Sequence, residues 1–146
     1  MNISEAYSLA LHATAMVASG GEQERVTSRR IASELGVSEA HLSKVLQRLA
    51  RAGILKSFRG PGGGFSLIRP AHDLTLLDIY EAVEGPLRLD DCLLGTRICG
   101  GRSCLFDGLI AKVNGQFKDY LARTTVGAVE DVLGRCGDDQ EDSADR

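Results

Sequence analysis

No segment of this chain approaches the roughly 20 consecutive apolar residues of a membrane-spanning helix. Its N-terminus also lacks the basic and apolar stretches of a secretory signal. Both absences point to a cytoplasmic protein with no membrane partner. Histidine is scarce: His12, His41 and His72 fall on separate predicted elements, so no catalytic triad is indicated. The glycine run at residues 60–64, GPGGG, lacks the Lys-Ser/Thr pair of a P-loop and leads into no helix, which argues against nucleotide hydrolysis. Paired Cys-x2-Cys hooks, the usual mark of a zinc ribbon, are missing. No internal repeat is visible. These absences argue against an enzyme.

What is present is an ordinary globular composition. The 146 residues suit one folded domain, and 43% hydrophobic with 25% charged residues argues against a disordered chain. The net charge of −3 conceals an asymmetry. Residues 1–70 carry nine Lys/Arg against five Asp/Glu, and residues 71–146 carry eight against fifteen. A basic half can meet phosphates while an acidic half serves another purpose.

Periodicity predicts a helix over residues 3–18, with Ala6, Leu9, Ala10, Ala13 and Val17 on one stripe and Gly20-Gly21 ending it. A second helix opens at Thr27 or Ser28 and stops at Gly36; Ser38 caps a third. There Leu42, Val45, Leu46 and Leu49 follow the i, i+3, i+4, i+7 pattern, and Gly53 closes it. Residues 54–59 and 65–68 read as strands joined by the GPGGG turn. Thr75 opens another helix, ended by Gly85-Pro86. Residues 88–104 lack periodicity, and a last long helix is expected from about residue 105 to 133. On it Leu109, Val113, Phe117, Tyr120, Leu121 and Thr124 share a face, a stripe long enough to call for a two-fold partner.

The fold expected is mainly α with a small β-hairpin wing: a winged helix-turn-helix over residues 1–86, a cysteine segment over 87–104, a dimerisation helix over 105–136 and a disordered acidic tail over 137–146. In that fold the third helix enters the DNA major groove. Its exposed side would carry Ser38, Glu39, His41, Ser43, Lys44, Gln47, Arg48 and Arg51, polar residues for bases and cations for phosphates. Ser28 and Arg29 at the start of the second helix, and Arg59 and Gly60 at the wing, complete the candidate DNA contacts.

The cysteines are Cys92, Cys99, Cys104 and Cys136. Three lie within thirteen residues, a grouping that in a cytosolic chain reads as metal-binding or redox-active before it reads as a disulfide framework. Thiolates favour iron–sulfur clusters, zinc or copper(I). Cys92-x6-Cys99-x4-Cys104, with Gly95, Gly100 and Gly101 between, suits a loop around a compact cluster, 2Fe–2S or 4Fe–4S. A thiol switch without a cluster is the alternative. Cys136 falls outside the group.

The run RRIASELGVSEAHLSKVLQRLARAGILKSFRGPGGGFSLIRP, followed by LTLLDIYEAVEG and a cysteine group, resembles the Rrf-two family of bacterial transcriptional regulators. The resemblance extends to about residue 135. It implies a homodimer that binds double-stranded DNA at a palindromic operator as a repressor, with an iron–sulfur cluster sensing redox state, nitric oxide or iron. Family members often carry Tyr where His41 stands. The resemblance places Asp107 where some members supply a histidine ligand, though an acid there also complements a helix N-terminus. In other members an acidic ligand comes from the first helix of the partner, where this chain has Ser8, with Glu5 and His12 one turn to either side. A fourth ligand is therefore either Asp107 or one of Glu5, Ser8 and His12 of the partner subunit.

Overall fold

The computed structural model describes residues 3–21, 24–89, 92, 106 and 108–129. Helix α1 (Glu5–Ser19) runs through the middle of the core. Ser4 caps it, its hydroxyl accepting from the Tyr7 N–H at 3.0 Å. Tyr7, Leu9, Ala10, Ala13, Thr14, Ala15 and Val17 are buried, a wider face than a single stripe. Most are small, so four other elements all pack against this one helix. Thr14 hides its hydroxyl by donating to the Ala10 carbonyl at 2.7 Å. Burial, then the neighbouring Tyr80 and Tyr120, push the Tyr7 phenol up to about 12, so it stays protonated and donates to the Leu76 carbonyl.

Helices α2 (Ser28–Leu35) and α3 (Glu39–Arg51) start at the expected caps, Thr27 and Ser38. Gly36, at φ 65°, turns the chain between them, a left-handed conformation that glycine adopts without Cβ strain. Ile31, Leu42, Leu46 and Leu49 are fully buried where the two helices meet α1. Strands β1 (Leu55–Phe58) and β2 (Gly64–Leu67) pair antiparallel, Leu55 opposite Leu67 and Phe58 opposite Gly64. The hairpin is thus one residue shorter at each outer end than the pattern suggests. A 3-10 turn over Ala71–Asp73 leads to α4 (Leu76–Glu84), which packs on α1 and α3. The chain is a winged helix-turn-helix, mainly α with a two-stranded hairpin. Among the described residues no helix is long and apolar enough to cross a membrane.

The last helix departs from expectation. Instead of one run from about residue 105 to 133, α5 covers Leu109–Arg123 and stops at Thr124, which is extended. Residues 126–129 are helical again. The break has a partner: Thr125 bridges Thr75, with Leu76 N–H donating to the Thr124 carbonyl (2.9 Å) and Val126 N–H to the Leu74 carbonyl (2.8 Å). The apolar stripe divides as well. Leu121 is buried and Phe117 packs against the core, whereas Leu109 and Tyr120 are 51% and 62% exposed. The expected acidic tail, residues 137–146, lies outside the described residues.

Thr75 therefore serves two ends at once. Its hydroxyl accepts from the Asp78 N–H while its own N–H donates to the Asp78 carboxylate, a capping box. Thr75→Ala should lower stability by about 1 kcal/mol, and Thr75→Ser should retain most of it. Urea unfolding followed by circular dichroism checks this; equal midpoints for wild type and Thr75→Ala would remove the cap from the account.

Candidate nucleic-acid interface and cysteine segment

The exposed side of α3 is built as the sequence anticipates, but several of its polar groups are already engaged. Ser38 caps the helix through the His41 N–H at 3.2 Å. Ser28 donates its hydroxyl to Glu39 at 2.7 Å, tying the N-termini of α2 and α3 together. Arg48 donates to the Val83 carbonyl of α4 at 3.1 Å. Among the described residues the exposed His41, Lys44 and Arg29 side chains have no ion-pair or hydrogen-bond partner, and Ser43 is half-buried. On α2, Arg30 is held by Glu24 at 2.9 Å and Glu34 at 3.1 Å, so it is not a free cation.

The wing is locked to this unit by contacts that the sequence does not announce. Val26, just before α2, bridges Phe65 on β2 through both backbone hydrogen bonds, at 3.1 and 2.9 Å. Gly64 sits at φ 140°, and a Cβ there would come within 2.8 Å of the Val26 carbonyl oxygen, so only glycine permits the approach. Arg25 lays its guanidinium over the Phe58 ring, 3.8 Å from its centroid, and donates to the Gly62 carbonyl at 3.0 Å. Lys56 lies 5.3 Å from the same ring. Arg59 and Gly60 are exposed at the tip. A cation before α2 and an aromatic on β1 carry no sequence signal of their pairing, which is why Arg25 escapes a reading by motif.

Of the predicted cluster ligands, Cys92 is described; Cys99, Cys104 and Asp107 lie outside the described residues, as does Cys136. Cys92 is a free, half-buried thiol that opens on a cavity of about 570 Å³, lined also by Ser4, Tyr80, Glu84, Arg88 and Phe117. One soft donor at the edge of a space wide enough for a compact group suits a thiolate-held cluster. Among the described residues no group of three His, Cys, Asp or Glu side chains gathers to hold a metal ion. On α1, Glu5 and His12 are exposed and Ser8 half-buried; the His12 ring donates to the Ser8 carbonyl at 2.7 Å.

Residues 3–131 match the Rrf2 family, described as iron-dependent transcriptional regulators. The HTH-type transcriptional regulator YwgB of Bacillus subtilis is 31% identical over 118 residues, 80% of this chain and 76% of that protein. The HTH-type transcriptional regulator IscR of Vibrio campbellii is 30% identical over 111 residues, 76% of this chain and 66% of that one. Among solved structures, CymR, the global cysteine regulator of B. subtilis, superposes with a TM-score of 0.77 at 23% identity, covering 90% of this chain and 98% of its own. IscR of T. potens gives 0.69 at 23% identity, covering 100% and 93%. These similarities are to transcriptional regulators, not to enzymes. The chain belongs to the Rrf2 family of transcriptional regulators.

Proposed function

We propose that this regulator binds a palindromic DNA operator as a homodimeric repressor, and that an iron–sulfur cluster on Cys92, Cys99 and Cys104 sets its affinity. The observation that carries the DNA reading is the joining of the segment before α2 to the wing through Arg25, Val26 and Gly64, with Ser28 tying the start of α2 to α3 through Glu39. In a two-fold dimer, two such faces would meet successive major grooves roughly 34 Å apart. On this reading His41 and Ser43 read base edges, and the exposed Arg29, Lys44 and Arg59 meet phosphates.

Support for the cluster comes from the family description as iron-dependent, the likeness to IscR, and the partly open thiol of Cys92 at its cavity. When bound, such a cluster would supply a redox- and ligand-sensitive centre. The chain's part is to offer thiolates, of which Cys92 opens on the cavity lined by residues of α4 and α5. A cluster-free thiol regulator is the second reading, favoured by the likeness to the cysteine regulator CymR. On the cluster reading the fourth ligand is Asp107 or one of Glu5, Ser8 and His12 of the partner subunit.

Dimerisation is proposed through the outer side of α5, where Leu109 and Tyr120 stand exposed beside Phe106. Phe117 packs against the chain's own core, so Tyr120 is the better probe. Tyr120→Asp should give folded monomers in sedimentation, because an unpaired charge at a buried interface is strongly unfavourable; an intact dimer would exclude this face.

For DNA, Lys44→Ala and Arg59→Ala should each weaken operator binding and lower the slope of log affinity against log salt by about one. His41→Ala should change sequence preference more than affinity. Unchanged salt dependence in the Lys44→Ala/Arg59→Ala double variant would sink the docking.

For the cluster, protein purified without air should be brown, and Cys92→Ala, Cys99→Ala and Cys104→Ala should each lose the chromophore while Cys136→Ala keeps it. Holo and chelated apo forms should differ roughly 5- to 150-fold in affinity for at least one operator. Colourless anaerobic protein whose DNA affinity responds to oxidants would establish the thiol reading instead.

A further inference from the structure

Three hydrogen bonds converge on the end of α4, two of them from distant parts of the chain. From α3, Arg48 Nη1 donates to the Val83 carbonyl at 3.1 Å. From the start of α1, the Ser4 hydroxyl donates to the Glu84 carboxylate. Beyond the helix, the Leu87 N–H donates to Glu81 Oε1 at 3.2 Å, which holds the chain as it heads toward Cys92. The Val83 carbonyl is among those that a helix end leaves without an intrahelical partner. A cation at that place satisfies it and meets the negative end of the helix dipole. Glu84 and Ser4 also line the cavity on which Cys92 opens. The end of α4 is thus shared between the recognition helix and the cysteine cavity.

We propose that Arg48 is a positioning residue for DNA recognition and not a phosphate contact. It lies in the last turn of α3, while the residues free to face DNA, His41 and Lys44, lie nearer the start. Its guanidinium braces α3 against α4, and the two helices also pack directly. A displacement of the α4 end, arising in the cysteine cavity, moves the anchor of Arg48 and changes the angle at which α3 is presented. Glu84, bound to Ser4, holds that end in place. The inference rests on the sensor reading only for the signal that enters the cavity; the brace itself does not require a cluster.

The test is operator binding by the full-length protein across a salt series, for wild type, Arg48→Met, Arg48→Lys, Glu84→Ala and the Arg48→Met/Glu84→Ala double variant. Arg48→Met keeps the apolar stem and removes the donors. It should lower affinity roughly 3- to 10-fold, the worth of one hydrogen bond, with the salt slope unchanged. Arg48→Lys, which keeps a cation and donor, should recover most of the loss. Glu84→Ala should shift affinity in the wild-type background and have no further effect beside Arg48→Met, the non-additivity of residues that act through one another. Should Arg48→Met fold poorly, Arg48→Gln replaces it in the same cycle. A slope reduced by about one would make Arg48 a phosphate contact, and unchanged affinity or strictly additive effects would leave no brace; each overturns the proposal. Equal DNA affinity of holo and apo wild type would sink the sensor reading and leave this cycle intact.

Discussion

Four elements close around α1 because its inward side is made of small residues. Ala10, Ala13 and Ala15 are wholly buried, and Thr14 is buried with its hydroxyl folded back on its own helix. Larger side chains there would hold α2, α3, α4 and β2 apart, and overpacking a close-packed interior is itself destabilising. The bulky groups come instead from the surrounding elements: Ile31, Leu42, Leu46, Leu49, Leu55 and Ile79 fill the space around α1. The placement of α3 and of the hairpin follows from this one helix being narrow.

The DNA-facing unit gains its rigidity from backbone contacts more than from charge. The exposed ion pairs of Arg30 contribute little to stability in water. The Val26–Phe65 bridge, the close approach at Gly64 and the Ser28–Glu39 hydrogen bond hold α2, α3 and the hairpin at one geometry. A preorganised face of this kind loses less freedom on binding, so more of its contact energy appears as affinity. Lys44 and Arg59 are exposed and have no ion-pair partner among the described residues.

Much of the architecture was legible from local pattern. Thr27, Ser38 and Thr75 cap the helices they were expected to cap, and Gly36 turns the chain where it was expected to turn. The hairpin forms around the glycine run with a third, single-residue edge at Val26 that no alternation signals. Among the candidate DNA contacts, residue type alone did not distinguish Lys44, which has no partner among the described residues, from Arg48, which reaches α4, because both are exposed cations on the same helix. Arg25 was missed for the converse reason: its role depends on Phe58, far away in the chain, lying beneath it.

The sequence by itself determined the helices, the hairpin and their order, together with the family resemblance. Caps, glycine turns and hydrophobic period act between residues a few positions apart, and their energetics need no distant partner. Tertiary structure decided where α5 stops, since the backbone groups of Thr124 and Val126 are taken by Leu74 and Leu76 from another part of the chain. It also decided which apolar residues of α5 turn inward: Phe117 and Leu121 meet the core, while Leu109 and Tyr120 do not. A helical stripe records only that residues share a side; how much of that side a neighbour covers depends on the packing angle between helices.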